Sequence, residues 1–210
     1  MTKLTLILVF IACVASGCTG VKVSGSNTGT APSNADPKAA VIEASKKLIA
    51  LKAVSAIVEG AGKLAIRKDV QFVAPDRYHI IFDDETGAHV EMISVGNVTY
   101  IRSGDTWSKL AGNDPPPTST FRNSFTDEVL QSVTDAKFEG EDTVNNKPTF
   151  VYSYKLVTMV SSFPVVQRIW VDATSGIPIK SVAEYTDSQE KTLTTTFDIE
   201  SPVTIELPTK

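Results

Sequence analysis

The sequence predicts a mainly β fold with helices, an α+β plan that runs helix, six strands, helix, five strands. Three observations carry it. Apolar residues recur every three or four positions over 38–52 and every four over 121–133, the period of a helix packed on one side. Elsewhere the period falls to two, in short segments rich in β-branched and aromatic residues. Turn signals such as Gly96-Asn97 and Ser103-Gly104-Asp105 separate these segments and favour an antiparallel meander.

The first residues read as an export signal. Lys3 is followed by an apolar run from Leu4 to Val14 and then by Ala15, Ser16 and Gly17 directly before Cys18. A spanning helix needs roughly 20 apolar residues, and this run stops short at polar Thr19 and Gly20. Ala15-Ser16-Gly17-Cys18 resembles the lipobox of bacterial lipoproteins. The resemblance implies that a diacylglycerol is attached to the Cys18 thiol, that residues 1–17 are cut away, and that the new amino group is acylated too. Two or more acyl chains, at about 0.8 kcal/mol per buried CH₂, hold a protein stably on a membrane. The rival reading makes Cys18 a free thiol left by ordinary cleavage nearby.

The second cysteine, Cys13, lies inside the removed segment, so the mature chain keeps no thiol for a disulfide, a redox motif or a nucleophile. Removing 1–17 takes away one base, Lys3, and no acid, which leaves 19 basic against 24 acidic side chains. A mildly acidic chain has no electrostatic footprint for nucleic acid, nor a polybasic patch for a membrane. Attachment then rests on the lipid.

Residues 18–37 are expected to form the lipidated cysteine and a flexible tether. They are rich in Gly, Ser, Thr, Asn and Pro, as in Ser24-Gly25-Ser26-Asn27-Thr28-Gly29-Thr30, too polar to offset their chain entropy by burial. Residues 38–210 are expected to fold as one domain, long enough to bury a full core.

Asp36-Pro37 reads as a helix start, with an N-cap acceptor before a proline at the first helical position. Val41, Ala44, Leu48 and Leu51 then fall on one face, with Glu43, Lys46 and Lys47 turned away. Strands follow near 55–62, 63–73, 77–83, 88–95, 97–103 and 105–110. Asp114-Pro115-Pro116-Pro117 reads as a stiff extended connection. It leads into the second helix, where Phe121, Phe125, Val129 and Val133 recur at intervals of four. Strands near 137–144, 148–158, 164–172, 178–186 and 190–199 complete the plan.

One side of these strands is unusually apolar. Tyr78, Ile80 and Phe82 share a side, as do Phe150, Tyr152, Tyr154 and Leu156, while His79, Ser153 and Lys155 face the other way. A large sheet with one apolar face and two helices to cover it can enclose more apolar volume than its own side chains fill. A normally packed core also fits this pattern and is the simpler reading of it.

Four motifs in order resemble a known group. They are Phe72-Val73-Ala74-Pro75-Asp76-Arg77-Tyr78; Gly96-Asn97-Val98-Thr99-Tyr100-Ile101-Arg102 leading to Trp107; Ile169-Trp170-Val171-Asp172 with Gly176-Ile177-Pro178-Ile179-Lys180; and Pro202-Val203-Thr204-Ile205-Glu206-Leu207-Pro208. Together they are similar to the LolA/LolB-like superfamily, nearest its LppX/LprG-type lipoproteins.

The resemblance implies a half-open antiparallel β-barrel with a helical lid over an apolar cavity. It also implies carriage of lipids, or of acyl chains such as palmitate, through the cell envelope or periplasm. On that reading Tyr78, Ile80, Phe82, Tyr152, Tyr154, Leu156, Ile169 and Phe197 line the cavity, and the lid shifts to admit the ligand. The group has no short catalytic signature, so no residue inherits a chemical role.

Other chemistry finds little support. His79 and His89 sit on different predicted strands with no cysteine to join them, whereas a metal site needs three or four convergent ligands. Asp83-Asp84-Glu85 with Gly87 lacks EF-hand spacing and reads as a solvated hairpin tip. Asn97-Val98-Thr99 matches the glycosylation pattern only by chance within a predicted strand. No serine elbow or phosphate-cradling loop occurs, and nothing calls for a cofactor or an enzyme. The expected function is a membrane-anchored, extracytoplasmic lipoprotein that binds or carries lipids. The alternative is an envelope sensing or protein-binding module on the same fold, with a protein partner the sequence does not name.

Overall fold

The computed structural model describes residues 36–62, 66–84, 86–110, 127–157, 164–185 and 191–208. The expected signal at 1–17, Cys18, most of the tether, the proline connection and residues 121–126 of the second predicted helix lie outside them.

Helix α1 spans Pro37–Ile49 and starts as its sequence demands: the Asp36 side chain accepts a hydrogen bond from the Ala39 N–H, with Pro37 at the first helical position. Lys46 and Lys47 in its last turn favour the negative end of the helix dipole. It ends earlier than the predicted 52 because the sheet claims the next residues. The Ala50 N–H closes the last turn on the Lys46 carbonyl and the Leu51 N–H on that of Leu48, and the Lys52 carbonyl already accepts from the Ala74 N–H.

Eleven strands follow: β1 Ala53–Ala61, β2 Arg67–Val73, β3 Arg77–Asp83, β4 His89–Val95, β5 Val98–Ser103 and β6 Thr106–Lys109, then β7 Thr134–Val144, β8 Lys147–Val157, β9 Pro164–Asp172, β10 Pro178–Tyr185 and β11 Lys191–Asp198. Between β6 and β7 lies the short helix α2, Asp127–Gln131. All the strands form one antiparallel sheet in the order β6-β5-β4-β3-β2-β1-β11-β10-β9-β8-β7. The chain therefore starts at the middle of the sheet, walks out to one edge, crosses to the other, and returns to pair β11 with β1. The sheet is not closed, and β6 and β7 are its two edges. This is the mainly β, open-barrel architecture with two helices that the sequence predicts.

The turns have specific chemistry. Asn145 and Asn146 both have positive φ and join β7 to β8 in two residues, which matches the right-handed twist of the flanking strands. At the β9–β10 turn Asp172 Oδ1 accepts from the Thr174 and Ser175 N–H groups and the Ser175 hydroxyl, while Gly176 takes φ +69°. That is what the Trp170-Val171-Asp172 to Gly176 motif encodes. The tip between β3 and β4 is the expected hairpin: Asp84 accepts from Thr86 and Ala88, and its carboxyl is held below its ordinary pKa, first by the Thr86 hydroxyl.

Two boundaries differ from expectation for local reasons. Helix α2 stops at Gln131, because the Ser132 N–H and hydroxyl both turn back onto the Val129 carbonyl. Val133 is nonetheless fully buried, just past the helix. Strand β7 begins at Thr134 rather than 137, through a residue with positive φ, Asp135, and a register shift before Lys137. Those irregularities break the alternation by which a strand is recognised.

Candidate functional site

The register places alternate residues on one face, here called inner, against which both helices pack. From β4 to β1 it carries Met92, Ile80, Val70 and Ala56 in one row, and Tyr78, Phe72 and Val54 in the next. From β11 to β8 it carries Phe197, Ile169, Tyr152 and their i±2 neighbours. All eight predicted lining residues lie on this face, spread over three clusters.

The largest cluster sits under the helices. Ala40, Val41 and Ala44 of α1, with Val129 and Val133, pack on Tyr152, Tyr154, Leu156, Ile169, Val165 and Val171. Small residues on α1 let its backbone approach the sheet closely, and the four predicted lining residues here are at most 1 % exposed. A second cluster joins Leu48 and Leu130 to Val54, Ala56, Phe72 and Phe197, with Tyr78 packed against it; the Phe72 and Tyr78 rings meet at 5.0 Å between centroids. The third contains Val58, Val70 and Ile80 with Phe82 and Leu193, the last also packing against the first cluster, and among the described residues it includes none from either helix.

Polar groups on this face are paired internally. The Tyr154 hydroxyl donates to Gln167 Oε1 at 2.7 Å, and burial pushes the phenol pKa up. Ser94 and Thr99, opposite each other on β4 and β5, share a buried hydrogen bond of 2.9 Å. Lys68 is the charged exception. It lies opposite Phe82, its ammonium 5.3 Å from the centroid of that ring, and it has no carboxylate partner among the described residues. Sequence reasoning missed Lys68, Val58, Val70 and Leu193. The signal for Lys68 was its even spacing from Val70 and Phe72, which a search for apolar side chains passes over.

The outer face holds a different constellation. Glu91 accepts from Arg102 Nη1 at 3.0 Å and meets His79 Nε2 at 2.8 Å, while His79 Nδ1 meets Gln71 at 3.2 Å. Burial raises the Glu91 pKa, but the hydrogen bonds and charges of Arg102 and His79 outweigh it, and the carboxyl stays below its ordinary value. His89 lies exposed beside Asp83. Among the described residues no group of three or more His, Cys, Asp or Glu converges as metal ligands, and no helix is long and apolar enough to cross a membrane. Also on this face, Trp170 donates to Asp142 at 2.8 Å and lies under the Lys180 ammonium at 4.6 Å.

This open sheet, packed on one face by α1 and α2, has counterparts among solved structures. The lipoprotein LppX of Mycobacterium tuberculosis matches with a TM-score of 0.65 at 17% identity, over 83% of this chain and 100% of that one. LprF of Mycobacterium bovis matches with a TM-score of 0.66 at 14% identity, over 86% of this chain and 100% of that one.

The chain has the LppX-type fold. A looser match, at TM-score 0.50 and 15% identity, is MucB, of which this chain spans 61%. No family model and no curated protein matches the sequence. The LppX-type likeness is therefore one of backbone architecture.

Proposed function

We propose that the chain is an extracytoplasmic lipoprotein, held to a membrane by acyl chains on Cys18, whose LppX-type half-barrel binds lipids or acylated molecules. The observation that carries the binding part is the third inner-face cluster. Val58, Val70 and Ile80, only 7–9 % exposed, cluster with partly buried Phe82 and Leu193 on the helix side of the sheet, and among the described residues none from α1 or α2 joins them. An acyl chain laid along this cluster would gain about 0.8 kcal/mol per buried CH₂. The ligand would then be driven in by removal of its tail from water. Tyr78 and Phe197, at the boundary with the helix-packed half, would mark the inner end of the site. Tyr152, Tyr154, Leu156 and Ile169 would be the floor on which the helices rest, reached by a ligand only if the helices move.

The resemblance of Ala15-Ser16-Gly17-Cys18 to a lipobox supports the anchor, with 1–17 as signal, 18–37 as tether and 38–210 as the folded domain. Replacing Cys18 by alanine is expected to move the protein from the membrane to the soluble fraction; retention on the membrane would remove the anchor from the account. For carriage, the chain from Thr19 contains every described element. Purified from bacterial membranes and weighed by native mass spectrometry, it should carry lipid-sized mass that organic solvent strips off. The bare polypeptide mass would instead favour the protein-binding module.

A further inference from the structure

We infer that Lys68 selects ligands with an anionic head group, so that the lipid bound on the inner face is an acyl chain ending in an oxyanion, a carboxylate or a phosphate. The inference rests on the lipid-binding reading and sharpens it. The inner-face positions of β1 to β4 are Val54, Ala56, Val58 and Gly60; Lys68, Val70 and Phe72; Tyr78, Ile80 and Phe82; and Val90, Met92 and Ser94. Lys68 is the one charge among these thirteen positions. A lysine placed there only for solubility would be expected on the outer face, where its neighbour Arg67 is neutralised by Glu59 at 2.6 Å and Asp69 at 3.4 Å.

The setting of Lys68 suits an anion. Its side chain is half-buried between Val58 on β1 and Phe82 on β3, at the end of the row that runs through Val70 to Phe72. Strand geometry sets Phe72 about 13 Å from Lys68 along β2, so a tail lying over Phe72, Val70 and Ile80 brings its head to the ammonium. The ammonium is held over the face of Phe82 with no carboxylate beside it among the described residues. A cation kept partly out of water and left without a counter-ion gains more from an incoming oxyanion than a solvated one does. Lysine presents a point charge and takes carboxylate or phosphate alike.

Three probes with the same oleoyl tail separate the terms: oleate, lysophosphatidylglycerol and uncharged monoolein, each titrated against the chain from Thr19. In Lys68→Met, which keeps the aliphatic stem, affinity for at least one anionic probe should fall about tenfold, as expected for loss of a charge-assisted contact. Monoolein affinity should stay within about twofold, since the apolar surface is kept. The anionic probe that weakens identifies the head group, and Lys68→Arg should retain its binding. Unchanged anionic binding in Lys68→Met, or an equal loss for monoolein, overturns the head-group assignment alone. Failure of the unmodified chain to bind any of the three overturns lipid binding and this inference together.

Discussion

Arg77 Nη1 donates a 2.9 Å hydrogen bond to the main-chain carbonyl of Ile205, 128 residues away. The contact joins two of the four sequence motifs, the Pro75-Asp76-Arg77-Tyr78 turn and the closing Pro202-to-Pro208 segment. Ile205 is buried although its segment belongs to no strand, so Arg77 helps fix a tail that no sheet ladder holds. Arg77→Ala is expected to cost about 1.5–3 kcal/mol, the range for a hydrogen bond to a charged group. Thermal unfolding should show the loss, and a midpoint equal to that of the parent chain would remove Arg77 from this role.

Ser45 sits on the sheet side of α1 at 0 % exposure, and its hydroxyl has no hydrogen-bond partner among the described residues. An unsatisfied buried hydroxyl costs stability, and alanine is the better helix former. Ser45→Ala is therefore expected to stabilise the fold by about 1 kcal/mol. Denaturant titration decides it, and a destabilised variant would mean that the hydroxyl is satisfied by something in solution.

Burial pushes the phenol pKa values of Tyr152, Tyr154 and Tyr185 above their ordinary 10.0. In the unfolded chain these phenols ionise near that ordinary value, so above it the unfolded state binds fewer protons than the folded one. Their contribution is fully present below pH 10 and is lost as pH rises toward the folded values. A pH jump should give two steps in phenolate absorbance, with the second coinciding with loss of the circular dichroism of the sheet. Ionisation of all five tyrosines with the fold intact would contradict the burial of this cluster.

The three-cluster division of the inner face makes a contrast between two leucine-sized positions. Leu156 is 1 % exposed beneath the helices, and Leu156→Ala is expected to cost about 2–5 kcal/mol. Leu193 is only partly buried, packing against both the helix-covered cluster and the Val58, Val70 and Ile80 cluster, so Leu193→Ala should cost clearly less while weakening lipid binding. Equal losses of stability at the two positions would show that both belong to one packed core.

Much of the plan was legible in the sequence because it is local. Asp36-Pro37 caps its helix through the Ala39 N–H, and period-two alternation located all eleven strands. What escaped were places where local pattern is broken by long-range demands. Strand β7 starts through a residue of positive φ, and α2 ends at a serine that turns onto its own backbone. Lys68 escaped for a related reason: its even spacing from Val70 and Phe72 gives its face, but a lone lysine at such a position gains meaning only when the register sets it between Val58 and Phe82.

The sequence by itself determined the number and order of strands, the apolar face of each, the start of α1 and the lipobox-like start of the chain, since periodicity, capping and turn chemistry act over a few residues. Only the tertiary structure decided that β11 returns beside β1, that α1 and α2 cover the β7–β11 side of the inner face and the adjoining part of β1 and β2, and that Lys68 stands over Phe82 at the end of an apolar row. Those outcomes depend on which strands pair and in what register, and a shift of one residue would turn every one of those side chains to the opposite face.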